Sequence, residues 1–162
     1  MNPFFSSLVI ALSGILLSGC FKKPDPIPCT YDACAAKAPA TEIAAVQSYL
    51  DSVGINATQH CSGLFYTIET PGTGNIPEAC DVVNVKYNGR YTNGTSFDST
   101  NTGIDLGLNS VIQGWTNGVP LLKEGGKIKL FIPPYLGYGP NDYRGIPGNS
   151  ILIFDVELVK VY

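Results

Sequence analysis

Histidine is almost absent from this chain: His60 is the only one in 162 residues. Ser-His-Asp and Cys-His schemes of nucleophilic catalysis therefore have little material. There is no glycine-rich phosphate loop, no internal repeat and no low-complexity tract. Charge is scarce too, at 14% of residues, with ten Lys and Arg against thirteen Asp and Glu. The basic residues all follow position 20 and form no stripe, so nucleic acid is not an expected partner. Carboxylates occur in pairs, but nothing in the sequence sets two of them across a cleft.

What is present is apolar and turn-rich. Hydrophobic residues make up 44%, which excludes a mainly disordered chain. Eighteen Gly and twelve Pro imply many turns and a β-rich architecture. The length suits one domain with an export signal and a tether.

The export signal is read at the start. Residues 4–17, FFSSLVIALSGILL, form an apolar run of signal-peptide length, short of the ~20 residues a membrane-spanning helix needs. The run meets LSGC, ending at Cys20, which resembles the bacterial lipobox. Residues 1–19 are therefore expected to be a lipoprotein signal peptide. Cys20 becomes the lipidated residue and the membrane contact, and residues 20–40 an extended tether. The lipid joins through a thioether, so a thiol is required there. Acyl chains contribute ~0.8 kcal/mol per buried CH₂, enough for a multiply acylated Cys20 to hold the protein to a bilayer. Phe21 is not an acidic retention residue, which points to the outer membrane, facing the periplasm, with exposure at the cell surface as the alternative.

Outside the cytoplasm the remaining Cys29, Cys34, Cys61 and Cys80 are expected to form two disulfides. Three connectivities are possible. Pairing neighbours would close a small loop between Cys29 and Cys34 and staple the start of the domain between Cys61 and Cys80. No metal site is expected, because His60 beside Cys61 has no matching spacing elsewhere.

TEIAAVQSYLDSVG, residues 41–54, is read as an amphipathic helix, followed by a linker, within a 41–62 segment. Thr41 is its cap and Ile43, Val46, Tyr49, Leu50 and Val53 its apolar face, docked on the domain that follows. From residue 63 to the end, strands are read at 64–70, 82–92, 96–99, 127–132 and 151–162. Asn93-Gly94 signals a hairpin turn, and residues 111–122 form a short helix that Pro120 kinks or ends. One helix covers only one face of such a sheet. The expected fold is therefore α+β, a curved antiparallel sheet wrapped around one short helix, with an extra N-terminal helix.

Aromatic side chains gather at element ends: Tyr87, Phe97, Trp115, Tyr138 and Phe154. Periodicity alone does not separate a pocket from a core. The strings are more specific. VNVKYNGRYTNGTSFDS (83–99), VIQGW (111–115), IPPYLGYG (132–139) and NSILIFDVELVK (149–160) resemble, in order and spacing, the blocks of the FKBP family of peptidyl-prolyl cis–trans isomerases.

That resemblance implies an isomerase acting on proline-containing polypeptides, with no cofactor. It implies a pocket built from Tyr87, Phe97, Asp98, Trp115, Tyr138 and Phe154, with Val111, Ile112 and Ile146 binding substrate. Trp115 would be the floor, and Tyr87, Phe97 and Phe154 the walls. The Ile112 N–H and the Tyr138 hydroxyl would meet substrate carbonyls, and Asp98 would face the twisting amide. The stretch after Asp98 lacks an aromatic wall residue of the family and offers Thr102 or Ile104 instead, which puts macrolide inhibitor binding in doubt. The loop GPNDYRG (139–145) borders the pocket with its own charges.

Overall fold

The computed structural model describes residues 28–162. The expected signal peptide, Cys20 and the first part of the tether lie outside the described residues. Helix α1 (Ala40–Ser52) comes first, followed by strands β1 (Thr58–Gln59), β2 (Phe65–Thr70), β3 (Val82–Tyr91) and β4 (Ser96–Gly107). Helix α2 (Gln113–Gly118), β5 (Lys127–Ile132) and β6 (Leu152–Val161) complete the chain. The strands form one antiparallel sheet in the order β1-β2-β5-β6-β3-β4.

The period-two pattern of β6 sorts its residues by face. Leu152, Phe154, Val156 and Leu158 are buried with Ile128, Leu130 and Ile132 of β5 and Val83 and Val85 of β3. α2 lies on this face and approaches β5 closely because its two glycines face the strand. A Cβ on Gly114 would meet Ile132 at 2.6 Å, and one on Gly118 would meet Leu130 at 2.6 Å. α2 is shorter than the 111–122 reading. A 3-10 turn over Val119–Leu121 follows it, and Pro120 ends the α-helical pattern as expected.

The opposite face has its own apolar row. Phe65, Phe131 and Ile153 are register partners across β2, β5 and β6, and Val46 and Leu50 of α1 bury them. α1 thus docks in cis. Its cap differs from expectation. Pro39 is the N-cap residue and its carbonyl accepts from the N–H groups of Glu42 and Ile43, so Thr41 sits inside the helix. Proline holds the residue before it in extended backbone, and the helix begins directly after it. Further along this face, Lys86 and Lys127 pair with Glu157, Arg90 and Lys129 with Asp155, and Lys129 also with Glu69. The Asp155 and Glu157 side of β6 is a half-solvated ion-pair ladder, each pair worth under about 1 kcal/mol.

Three other expectations need correction. The disulfides join Cys29 to Cys80 and Cys34 to Cys61, not Cys29 to Cys34 and Cys61 to Cys80. Residues 29–34 run across the domain between the turn at residue 61 and the loop before β3, so each cysteine meets a partner from the domain. Longer loops lose more unfolded-state entropy when closed, about 4 kcal/mol for each bridge in the chain-entropy account. Asn93-Gly94 does turn β3 into β4 as a hairpin, but only Gly94 has the positive φ that a two-residue turn needs at both central residues. Gly94 N–H bonds to the Tyr91 carbonyl and Thr95 N–H to the Asn93 side chain, so this is a longer bulged turn. Finally, β4 extends far beyond residue 99, and β1 adds a short edge strand at residues read as linker.

Candidate active site

β3, between β6 and β4, brings up Tyr87 and Gly89. Gly89 faces the rings of Phe97 and Phe154, and a Cβ there would come within 2.7 Å of Phe154 and 2.8 Å of Phe97. The glycine of the Y-x-G string therefore makes room for two aromatic walls. Phe97 and Phe154 pack edge to face at 5.5 Å, Trp115 and Phe154 at 5.3 Å, and Tyr87 and Trp115 at 5.1 Å. Such contacts add about 0.5–1.5 kcal/mol each beyond burial and fix ring orientation.

These rings enclose one side of a cavity of about 640 Å³. All nine residues expected at the site line it: Tyr87, Phe97, Asp98, Val111, Ile112, Trp115, Tyr138, Ile146 and Phe154. Trp115 is 3% exposed and Phe154 4%. The one carboxylate in the lining is already engaged, as the Tyr87 hydroxyl donates to Asp98 Oδ2 at 2.6 Å. Burial, and then that hydrogen bond, push the Tyr87 phenol far above its ordinary range. Burial also raises Tyr138, helped by Tyr143 and Asp98 and opposed by Arg144. Both phenols therefore remain neutral donors across the physiological range. Ile112 precedes α2 in extended backbone, and its carbonyl accepts from the N–H groups of Trp115 and Thr116. Its own N–H takes part in no backbone hydrogen bond among the described residues.

The cavity contains no thiol and no imidazole, so its chemistry is that of shape, burial and a few neutral donors. The chain's cysteines and histidine gather elsewhere. Ligand atoms of Cys34, His60 and Cys61 lie within 4.8 Å of one another. Sequence spacing hid this grouping because Cys34 arrives from a separate segment. Both of its sulfurs are consumed in the Cys34–Cys61 disulfide, which leaves no thiolate to bind a metal. A second depression, about 610 Å³, runs between α1 and β1 past Lys37, Ile43, Gln47, Gln59 and Phe65. It gathers no carboxylate, imidazole or thiol.

A family model described as FKBP-type peptidyl-prolyl cis-trans isomerase matches residues 74–159, more than half of the chain. The chain belongs to that family. It is 46% identical over 114 residues to the FKBP-type peptidyl-prolyl cis-trans isomerase FkpA of Aeromonas hydrophila, which covers 67% of this chain and 41% of that protein. The crystal structure of FkpA from Escherichia coli superposes with a TM-score of 0.68 at 39% identity, covering 75% of this chain and 60% of that one. A peptidyl-prolyl cis-trans isomerase from Pseudomonas syringae gives 0.67 at 31% identity, covering 78% and 98%. The chain spans less than half the length of the curated FkpA relatives it matches.

This FKBP cavity also has lining residues that the sequence reading left out, Tyr91, Leu106 and Ser110, while Tyr143, Arg144 and Gly145 come from the 139–145 loop expected at its border. Tyr91 was within reach, since alternation from Tyr87 through Gly89 puts it on the same face of β3; its ring lies 4.9 Å from that of Phe97. Leu106 was not. The expected strand ends at residue 99, whereas β4 runs to Gly107 and, past a bulge between Thr100 and Ile104 with Gly103 at φ 84°, pairs Leu106 with Val83 of the core face. Thr102 and Ile104 do not line the cavity, and Ile104 is exposed.

Proposed function

We propose that this chain catalyses cis–trans isomerisation of X-Pro bonds in exported or envelope polypeptides while held to the membrane through a lipidated Cys20. The observation that carries the reading is the convergence of aromatic walls, the Tyr87–Asp98 pair and neutral donors on one cavity.

The X-Pro barrier arises from amide resonance and amounts to about 18–20 kcal/mol. Twisting the bond removes that resonance and lowers charge separation. A cavity of aromatic and aliphatic side chains solvates the twisted amide better, relative to the planar one, than water does. In this reading the proline ring rests on Trp115 between Tyr87, Phe97 and Phe154. The Tyr138 hydroxyl and the Ile112 N–H hold the flanking carbonyls, and Val111 and Ile146 fill the sides. Asp98, fixed by Tyr87, faces the amide as it rotates. The phenols titrate far above neutrality, so the rate is expected to be flat from about pH 6 to pH 8. No cofactor takes part.

The deciding experiment measures isomerisation of short X-Pro peptides by the full chain, by Tyr87→Ala and by Trp115→Ala, with the fold of each checked by circular dichroism. Catalysis by the parent and its loss in folded variants is the expected result. Peptide binding without turnover would instead make the cavity a chaperone or docking groove. The anchor is tested separately: mass spectrometry should find acyl chains on Cys20, and Cys20→Ser should leave the membrane fraction. Macrolide binding is expected to be weak, because Leu106 rather than an aromatic ring lines that wall.

A further inference from the structure

The rim of the cavity holds a residue that the isomerase chemistry does not use. Tyr143 and Ile146 exchange two backbone hydrogen bonds of 2.9 Å, closing a two-residue turn whose corners are Arg144 and Gly145. Both corners have positive φ, 48° for Arg144 and 87° for Gly145. Such a turn is ordinarily built from Asn-Gly or Gly-Gly, because a Cβ crowds the backbone in the left-handed region. Arginine at the first corner is a locally unfavourable choice, kept at a position that lines the cavity.

Its surroundings hold the charge in place and leave it unpaired. The guanidinium lies 5.5 Å from the centre of the Tyr143 ring, which stacks on Tyr138 at 4.9 Å and 13°. The ion pairs among the described residues use Lys86, Arg90, Lys127 and Lys129, not Arg144. Neither nearby carboxylate forms an ion pair with it: Asp142 accepts the Gly148 N–H at 2.8 Å, and Asp98 accepts the Tyr87 hydroxyl. The cavity mouth therefore presents a forked cation that is ion-paired to no carboxylate among the described residues, a group suited to a partner's carboxylate.

We propose that Arg144 determines specificity by recognising a carboxylate carried by a client residue close to the proline. The proposal rests on the isomerase reading of the cavity and adds a preference to it. Arg144 and Trp115 line the same cavity, so the carboxylate belongs on a residue near the proline seated on Trp115, and positions up to two residues on either side are the ones to test. Exposed ion pairs are weak, and the preference should be about two- to fivefold, shrinking as salt is added.

The test uses the full chain and matched X-Pro peptides carrying Glu or Gln at each of the two positions on either side of proline. Turnover is followed as kcat/KM. Binding is followed by fluorescence of Trp115, the only tryptophan in the chain. Arg144→Asn keeps a residue suited to the turn and removes the charge, so it should fold at least as well as the parent. The expected result is a Glu-over-Gln preference at one or more positions that disappears in Arg144→Asn and reverses in Arg144→Glu. Turnover of the peptides with no Glu preference, or with one that survives Arg144→Asn, overturns the proposal and leaves the isomerase reading standing. Binding with the expected preference but without turnover overturns the isomerase reading alone. Absence of any binding or turnover overturns both.

Discussion

The two faces of the sheet are both partly roofed by a helix, yet they finish the job differently. On one face, thirteen-residue α1 covers Phe65, Phe131 and Ile153, and the surface beyond it carries the Asp155 and Glu157 ladder. Charge takes over where the helix stops. On the other face, six-residue α2 reaches only about 9 Å, while a ten-residue strand such as β6 runs about 33 Å. Here the surface past the helix stays apolar and aromatic, and only loops border it. Apolar surface left without a helix becomes a cavity, whereas surface handed to ion pairs becomes plain exterior. The site therefore follows from a short helix over a long apolar face, tuned by Gly89 and the rings packed against it.

If the faces divide labour in this way, substitutions should separate stability from activity. The largest effect is expected on the α1 face. Phe131→Ala removes a fully buried ring and should cost about 3–5 kcal/mol in urea unfolding. Isomerisation per folded molecule should be unchanged, and a parallel loss of kcat/KM would mean that the two faces are coupled. Next in size is the clip that leads into α1. Replacing Cys34 and Cys61 together by serine should cost about 2–4 kcal/mol, read as a lower unfolding midpoint. On the cavity face, Tyr138→Phe keeps the ring stacked on Tyr143 and deletes a hydroxyl that has no hydrogen bond within the chain among the described residues. Stability should hold within about 0.5 kcal/mol, while kcat/KM falls roughly two- to tenfold, the worth of one neutral hydrogen bond to substrate.

Much of this contrast was legible in the sequence. The alternation of β3 and β6 sorted Val83, Val85, Leu152, Phe154, Val156 and Leu158 onto one face, and the helical period found Val46 and Leu50. What defeated the reading was whatever depends on contacts distant in the chain or on broken register. Disulfide partners are set by where residues 29–34 cross the domain, which spacing does not encode. The Asn-Gly signal named the turn but not its length, because the αL residue closes a bulge. β4 runs on to Gly107, past the expected end of its strand, which brings Leu106 to the cavity while Ile104 stays exposed. The family strings picked out aromatic residues that line the cavity, since most of those sit on regular elements. They said less about the rim, where Tyr143 and Arg144 stand on a loop.

The smallest expected effect is a pH dependence that assigns one arm to each region. His60, on the disulfide-bound side, has a folded pKa below its ordinary value of 6.5 because it is partly buried. Its Nδ1 lies 2.9 Å from the Ser62 hydroxyl, a contact that needs no proton on both ring nitrogens. A depressed pKa means that the unfolded chain binds the proton more readily, so this stability is present above about pH 6.5 and is lost as pH falls below it. Tyr87 and Tyr138 have the opposite sign for the alkaline arm. Their raised pKa values give stability that is present below about pH 10 and lost as pH rises beyond it. Thermal unfolding should therefore show a plateau between these limits. His60→Gln should flatten only the part of the acid arm above about pH 5, before carboxylates titrate. Tyr138→Phe should weaken only the alkaline arm. If His60→Gln changed the alkaline arm, or Tyr138→Phe the acid one, the disulfide-bound side and the cavity would be a single cooperative unit rather than two regions with separate chemistry.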